Sequence, residues 1–388
     1  MERSVDRVLT THTGSLPRPD DLARLHIDRA EGRPVDDAHF EERVRAAVEE
    51  AVARQVEIGV DVVSDGEMSK NTYIEYTRER LSGMGGLVEV PDFYFTDLVE
   101  FPELVEATYK DSRPVFPFCD GPIRYTGGEI VGRDVKNFAA ALAKHPATEA
   151  FIPAASPGVV AHFCPNKYYA SYDEYLMALA EAMNAEYKAI TEAGFLVQVD
   201  APELALGADC HTWMWSEIER RGFEEVSRVH VQAINRALDG ISPEKARLHL
   251  CWANYQGPHT HDYPFSKVLQ TALGANVAAF NFEAANPAHA HEWELFENFK
   301  LPDDIVLMPG VIDTKSQVVE HPRAVAHRIM QYARVVGQER VIAATDCGFG
   351  TFVGALLVHP KIVWMKLRSL VEGAAIASEE LAKGTGKR

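Results

Sequence analysis

Residues 246–259 read ARLHLCWANYQGPH, and the alternation at the start of that run governs how the other 374 or so positions of the 388-residue chain are understood. Positions 245–252 have the character of a short strand that ends in a loop. Successive strand side chains point to opposite faces, so i and i+2 share one. The imidazole of His249 and the thiol of Cys251 therefore lie on one side, with Leu250 turned away. One imidazole and one thiol make half of a site for a borderline metal such as zinc. Buried His and Cys in strands are commonly packing residues, so this pair alone says little. Two later strand-like runs, VAAFNFEAANP and VIAATDCGFG, each end in a further ligand type, Glu283 and Cys347. One imidazole nitrogen, two sulfurs and one carboxylate oxygen complete a tetrahedral zinc set, provided that the fold joins these strand ends.

Working outward, eight stretches read as strands: 8–13, 60–64, 150–154, 195–200, 246–251, 277–283, 305–310 and 341–346. Helical spacing fills the intervals, in 39–58, in 71–84, in SYDEYLMALAEAMNAEYKAITEAG, in EVSRVHVQAINRALDG and in AVAHRIMQYARVVG. Strand–helix alternation implies a parallel sheet covered by helices, and eight such units close a (β/α)8 TIM barrel of the α/β class. The expected organisation is a single domain over 1–388. Residues 85–135, rich in Pro, Phe, Tyr and Gly, form a β-rich excursion after the second βα unit and are too short for much core of their own. Gly14-Ser15, Asp65-Gly66-Glu67, Asp200, His249, Cys251, Glu283, Asp313 and Asp346-Cys347 all fall at or just past C-terminal strand ends. In a barrel those ends make one face, where active sites are built. A doubly wound open sheet is the competing architecture. No Gly-rich dinucleotide or phosphate loop follows the first strand to support it.

Bulk properties remove several function classes. Hydrophobic residues are 46% and charged residues 25%, as in ordinary globular proteins. A net charge of -18 argues against nucleic acid or anionic membrane as a partner. No run reaches the roughly 20 apolar residues of a membrane helix, and the opening MERSVDRVLTTHTGS has no apolar core of signal-peptide length. Five scattered cysteines (Cys119, Cys164, Cys210, Cys251 and Cys347) suit a reducing cytoplasm in which thiolates serve as ligands. The expected protein is cytoplasmic and acts on small molecules; self-association into a homo-oligomer is left open.

The chemistry of the ligand set is informative. Two thiolates and a carboxylate over-neutralise Zn²⁺ and make it a poor generator of hydroxide. Such a centre is better suited to holding an incoming thiol as thiolate near neutral pH. A weakly bound Glu283 could leave as that sulfur arrives. A closed structural zinc site, with permanent ligands and no thiol exchange, is the non-catalytic alternative. A domain this long seldom needs one.

The runs TTHTGSLPRP, VSDGEMSK, VQVDAPELA, LHLCWAN, FNFEAANP, MPGVIDTKS and TDCGFGT, in this order from residue 10 to about residue 352, resemble the catalytic barrel of cobalamin-independent methionine synthase. They also resemble its single-barrel relatives, among them epoxyalkane:coenzyme M transferase. The resemblance implies a zinc-dependent thiol alkyltransferase with His249, Cys251, Glu283 and Cys347 as metal ligands. By the same resemblance Gly14 and Ser15 hold the carboxylate of homocysteine, and Glu67 and Asp200 hold its ammonium group. A methyl or other alkyl donor is the second small-molecule partner. Asp313 and Lys315 are the expected catalytic residues of the GVxD loop, where the family's methionine synthases place a His in the position of Lys315. A second departure is length, since the chain has room for one barrel and the full-length enzymes have two. Trp252, Asn254, Tyr255, His259, His261, His289 and His291 line the same mouth and look closer to the coenzyme M transferase-like relatives.

Overall fold

The computed structural model describes residues 1–89, 94–109 and 115–385. Its main sheet has eight strands: β1 Leu9–Thr10, β2 Val62–Ser64, β3 Glu149–Ala155, β4 Leu196–Asp200, β5 Ala246–His249, β6 Ala279–Phe282, β7 Val306–Ile312 and β8 Ile342–Thr345. All ladder pairings between them are parallel, in the order β1-β8-β7-β6-β5-β4-β3-β2. This is the α/β barrel expected from the strand count, nearly closed. The gap between β1 and β2 is bridged by side chains in place of a ladder. Asp61 accepts hydrogen bonds from the Thr10 N–H (2.8 Å) and hydroxyl (2.9 Å), and the Thr11 hydroxyl donates to the Val62 carbonyl (3.0 Å). The strand proper spans two residues where 8–13 was expected, and Thr10 and Thr11 make these polar contacts at its end.

Helices cover the outside because their apolar residues recur at helical spacing. In α1, Asp37–Ile58, the buried positions include Phe40, Val44, Ala47, Val48, Ala51 and Val52. The Asp36 carboxylate caps its start by accepting from the His39 N–H, and Gly59 ends it with a φ of 96°. The same logic shapes α2 Gly128–Lys144, α3 Tyr172–Glu192, α4 Phe223–Ala237, α5 Phe265–Ala272, α6 Pro322–Val336 and α7 Pro360–Thr385. Among the described residues no helix is long and apolar enough to cross a membrane.

Two local expectations need correction. The helical spacing of 71–84 yields only a short helix, Thr77–Arg80. Upstream, the Thr72 hydroxyl accepts from the Ile74 and Glu75 N–H groups and folds a turn. Downstream, Leu81 bridges to Tyr125. Strand β5 stops at His249, so Cys251 belongs to the following loop, where Ala253 takes a positive φ of 69°.

Within the 85–135 stretch, Gly86–Glu89 pairs antiparallel with Val115–Phe118, and Tyr94–Phe95 pairs antiparallel with Cys210–His211. Residues 90–93 and 110–114 of that excursion lie outside the described residues. Its link to the barrel mouth is specific. One Asp97 carboxylate oxygen accepts from the Tyr255 hydroxyl (2.6 Å) and the His259 N–H (2.7 Å), while Phe95 stacks on Tyr255 at 4.1 Å.

The loop after β2 is fixed by a buried ion triad. Arg80 donates to Glu186 of α3 (2.8 Å) and to Asp134 of α2 (2.6 Å), with all three side chains buried. Removing the cation leaves two buried carboxylates without a partner, which costs about 3–5 kcal/mol. Arg80→Met should therefore lower the urea unfolding midpoint far more than Arg133→Met, whose exposed pairing with Glu41 is worth about 1 kcal/mol or less.

Candidate metal centre

The C-terminal ends of β5 and β8 place three donor side chains together. One nitrogen of His249 and the sulfurs of Cys251 and Cys347 all lie within 4.8 Å of one another, and all three residues are buried. The two sulfurs are 3.7 Å apart. Sulfurs bound at about 2.3 Å to a tetrahedral zinc stand roughly 3.8 Å apart, so the pair fits that ion. His249 Nδ1 is buried with no hydrogen-bond partner, so no structural bond ties up that side of the ring. The donor set and its spacing suit a borderline metal.

Proton sharing in this cluster follows from burial and mutual contact. The Cys251 thiol donates to Cys347, an arrangement that raises Cys251 well above the usual thiol range, with burial adding to it. Cys347 moves the other way, down to about 6, because Cys251 and then His249 bond to its thiolate against the effect of burial. Burial disfavours a charged His249, yet its bond to Cys347 and the nearby acids raise its pKa overall. A metal would take both sulfurs as thiolates and the imidazole in its neutral form, so its binding would release the protons that this cluster shares.

Glu283, the fourth expected ligand, sits beside this cluster and is held from three sides. Its Oε1 accepts from the Trp252 N–H (2.8 Å) and lies 3.4 Å from the Cys251 sulfur. Its Oε2 accepts from Asn286 Nδ2 (2.8 Å) and from Lys315 Nζ (3.1 Å). Burial works against the carboxylate, but Lys315 foremost holds its pKa below the ordinary value. The loop carrying Glu283 is fixed by Asp346. That carboxylate accepts from the N–H groups of Ala284, Ala285 and Asn286 and from the Asn286 side chain.

Lys315 also approaches His259 Nε2 (3.3 Å), and the contacts continue through Asp262 to His289 and Glu292. His289 stacks on Trp252 at 4.1 Å. His261 and His291 are exposed; His291 reaches the end of this chain of contacts only at its edge, 4.0 Å from Glu292. Asp313 acts on the backbone: its carboxylate accepts from the Lys315 N–H (2.8 Å), and its own N–H donates to Glu320 (2.9 Å).

The four residues expected to hold an amino acid are all buried near the same mouth. Gly14 has a φ of 137°, and a Cβ there would lie 2.5 Å from Pro153, so only glycine fits. Its N–H is already given to His12 Nδ1 (3.1 Å), which leaves the Ser15 N–H and hydroxyl as donors for an anion. Glu67 is 3% exposed, and its Oε2 has no hydrogen-bond partner. Burial raises Asp200 to about 7, with Glu67 adding repulsion and His249 opposing it. An unpaired buried carboxylate beside a second acid is costly by itself and is relieved by a cation.

Gln198 and Arg247, directly beneath Asp200 and His249, went unmarked in the sequence. The signal was there: each lies two residues before a site residue, on the same strand face, in a stretch otherwise apolar. Tyr73 was also missed. Burial and then Cys251 raise its hydroxyl far above the ordinary value, which places it in the field of the thiol cluster.

Eight parallel strands with an imidazole and two thiols at one mouth define a (β/α)8 protein with a thiol-rich candidate metal centre. The sequence matches the family model described as the catalytic domain of cobalamin-independent synthase over residues 8–91 and 165–365, and the chain belongs to that family. It is 27% identical to a methionine synthase of Thermococcus kodakarensis, over 96% of this chain and 94% of that protein. It is 24% identical to a 2-hydroxypropyl-CoM lyase of Xanthobacter autotrophicus, over 89% of this chain and 88% of the relative. Both relatives are enzymes. The fold is that of a B12-independent methionine synthase from Shewanella sp. W3-18-1 solved with selenomethionine, at a TM-score of 0.74 and 20% identity, covering 97% and 99% of the two chains.

The cluster makes a selective prediction. Cys251→Ser and Cys347→Ser should each lose most bound zinc on dialysis against a chelator. Cys119→Ser and Cys164→Ser, which remove buried free thiols outside the cluster, should retain it. Elemental analysis of the dialysed proteins checks both halves.

Proposed function

We propose that this protein is a zinc-dependent thiol alkyltransferase that transfers a methyl group to the sulfur of homocysteine. One observation carries the reading: a buried, unpartnered Glu67 oxygen and a buried Asp200 stand at the mouth that also holds His249, Cys251 and Cys347. Thiol ligands and a cation-seeking acid pair at one barrel mouth match a substrate with a sulfur at one end and an ammonium group at the other. Zinc held by His249, Cys251 and Cys347, with Glu283 as a dissociable fourth ligand, would keep the acceptor sulfur as thiolate at neutral pH.

The other steps belong to side chains. Glu67 and Asp200 hold the ammonium group, and the Ser15 hydroxyl donates to the carboxylate, which orients the sulfur for in-line attack on the donor carbon as that carbon's bond to the donor breaks and the demethylated donor departs with the electron pair. Lys315 is assigned to Glu283. Despite burial, that carboxylate raises the lysine above its ordinary range and makes it a poorer proton donor than a free lysine. Asp313 shapes the loop that presents Lys315. Five free cysteines, three of them outside the cluster, suit a reducing compartment such as the cytoplasm.

A second reading, thiol addition to an epoxide or other alkyl electrophile, has support in the 2-hydroxypropyl-CoM lyase relative and in the Lys315 ammonium at the mouth. Its thiol would carry a sulfonate, which the acid pair disfavours. Calorimetric titration of the zinc-loaded protein with L-homocysteine and with 2-mercaptoethanesulfonate separates the two. We expect homocysteine to bind with proton release. Asp200→Asn should weaken it about 10- to 100-fold, the value of a hydrogen bond to a charged group. Preference for the sulfonate thiol would reject the homocysteine reading.

Lys315→Met tests the role assigned to that residue. Freed of its counter-ion, Glu283 should compete better for the metal. The variant should give up zinc to a chelator more slowly than wild type and bind homocysteine more weakly. Faster zinc loss would rule this role out.

A further inference from the structure

We propose that Gln198 is a positioning residue that sets the spacing between the two ends of an amino-acid clamp, with its amide held in one orientation by Arg247. The inference rests on the reading that Ser15 and Asp200 hold the carboxylate and ammonium ends of the substrate. The interior of such a barrel is ordinarily filled by branched apolar side chains. Here β4 and β5 place Gln198 and Arg247 side by side in register, at 0% and 1% exposure.

Arg247 spends its donors on neutral acceptors. Its Nε reaches Gln198 Oε1 (2.9 Å), one terminal nitrogen reaches the Thr11 hydroxyl (3.0 Å), and the other reaches the His12 carbonyl (2.8 Å). The guanidinium carbon lies 3.4 Å from the centre of the Phe151 ring, and that contact fixes its plane. A guanidinium can only donate, so Gln198 must face it with oxygen. The amide nitrogen then points the other way, to Asp200 Oδ1 (2.7 Å) and to the Thr13 carbonyl.

Those two acceptors belong to opposite halves of the clamp. Thr13 directly precedes Gly14-Ser15, on the loop after β1, and Asp200 ends β4. One amide group therefore ties the carboxylate holder to the ammonium holder. With the amide reversed, its oxygen would meet two acceptors and push both away. A ligand with a single charged end can follow its holder as it shifts. A ligand with both ends cannot.

The test compares the zinc-loaded wild type with Gln198→Met by calorimetry, using L-homocysteine, 4-mercaptobutanoate, which lacks the ammonium group, and 3-mercaptopropylamine, which lacks the carboxylate. Gln198→Met should weaken homocysteine about 10- to 100-fold and each single-ended thiol by no more than about threefold, with zinc content and thermal unfolding retained. Gln198→Glu keeps the shape and the Arg247 contact but turns an acceptor toward Asp200 and Thr13. It should show the same selective loss, and it carries the test if Gln198→Met fails to fold. Equal weakening of all three thiols, or no weakening, would overturn the proposal while leaving the homocysteine reading intact. A wild type that does not prefer homocysteine to either analogue would overturn both.

Discussion

A single carboxylate ties the candidate site together. Asp346, at the end of β8, accepts four hydrogen bonds from the loop after β6 and so draws the Glu283 loop onto the strand end that carries Cys347. Burial raises Asp346 to about 6, and the N–H groups it accepts favour its charged form. Space for it exists because residue 310 on the intervening strand is glycine. A Cβ there would stand 2.1 Å from Asp346 Oδ1 and 2.6 Å from its Cα. Gly310, Asp346 and Asn286 thus act together to set where Glu283 meets the thiols.

Charge is distributed around the mouth in an orderly way. On the β6–β8 side, Glu283 is matched by Lys315, and the lysine is backed by the His259, Asp262, His289 and Glu292 contacts. On the β2–β4 side, among the described residues no cation pairs directly with the Glu67 or Asp200 carboxylate: Arg18 bonds to the Glu67 backbone carbonyl (2.8 Å), Asp200 has the Gln198 amide, and Glu67 Oε2 has no partner. The thiol cluster lies between an acid paired directly with a lysine and two acids with no direct ion pair. A substrate that brings a positive charge completes the second side, and the first side needs none. The excursion after β2 reaches the compensated side through Asp97, which holds both Tyr255 and His259.

Much of the fold was legible because barrel strands and their covering helices carry strong local periods. The eight strands fall within the expected stretches, apart from shifts of one to a few residues at their ends. Residues 71–84 misled because a helical spacing of apolar residues does not reveal a Thr72 turn or an Arg80 pinned by acids more than 50 positions away. The metal cluster was legible as chemistry, since His249, Cys251 and Cys347 are ligand types at strand ends. Gln198 and Arg247 sit one step deeper in the same strands, away from the strand ends where reactive residues are sought. Their signal, a polar residue at an inward position of an otherwise apolar strand, is weaker than that of a ligand type at a strand end.

By itself the sequence determined the number and direction of the strands, the face on which the reactive residues gather, and the ligand types available to a metal. These are consequences of alternation and helical spacing, which act over a few residues. Tertiary structure alone decided that three donors cluster while Glu283 is shared with Lys315, Asn286 and Trp252. It also decided that the Gly14 N–H is spent on His12 and that the Gln198 amide faces Asp200. Those outcomes depend on register between strands up to hundreds of residues apart and on which donor is left over after each buried group is satisfied. No local pattern encodes that accounting.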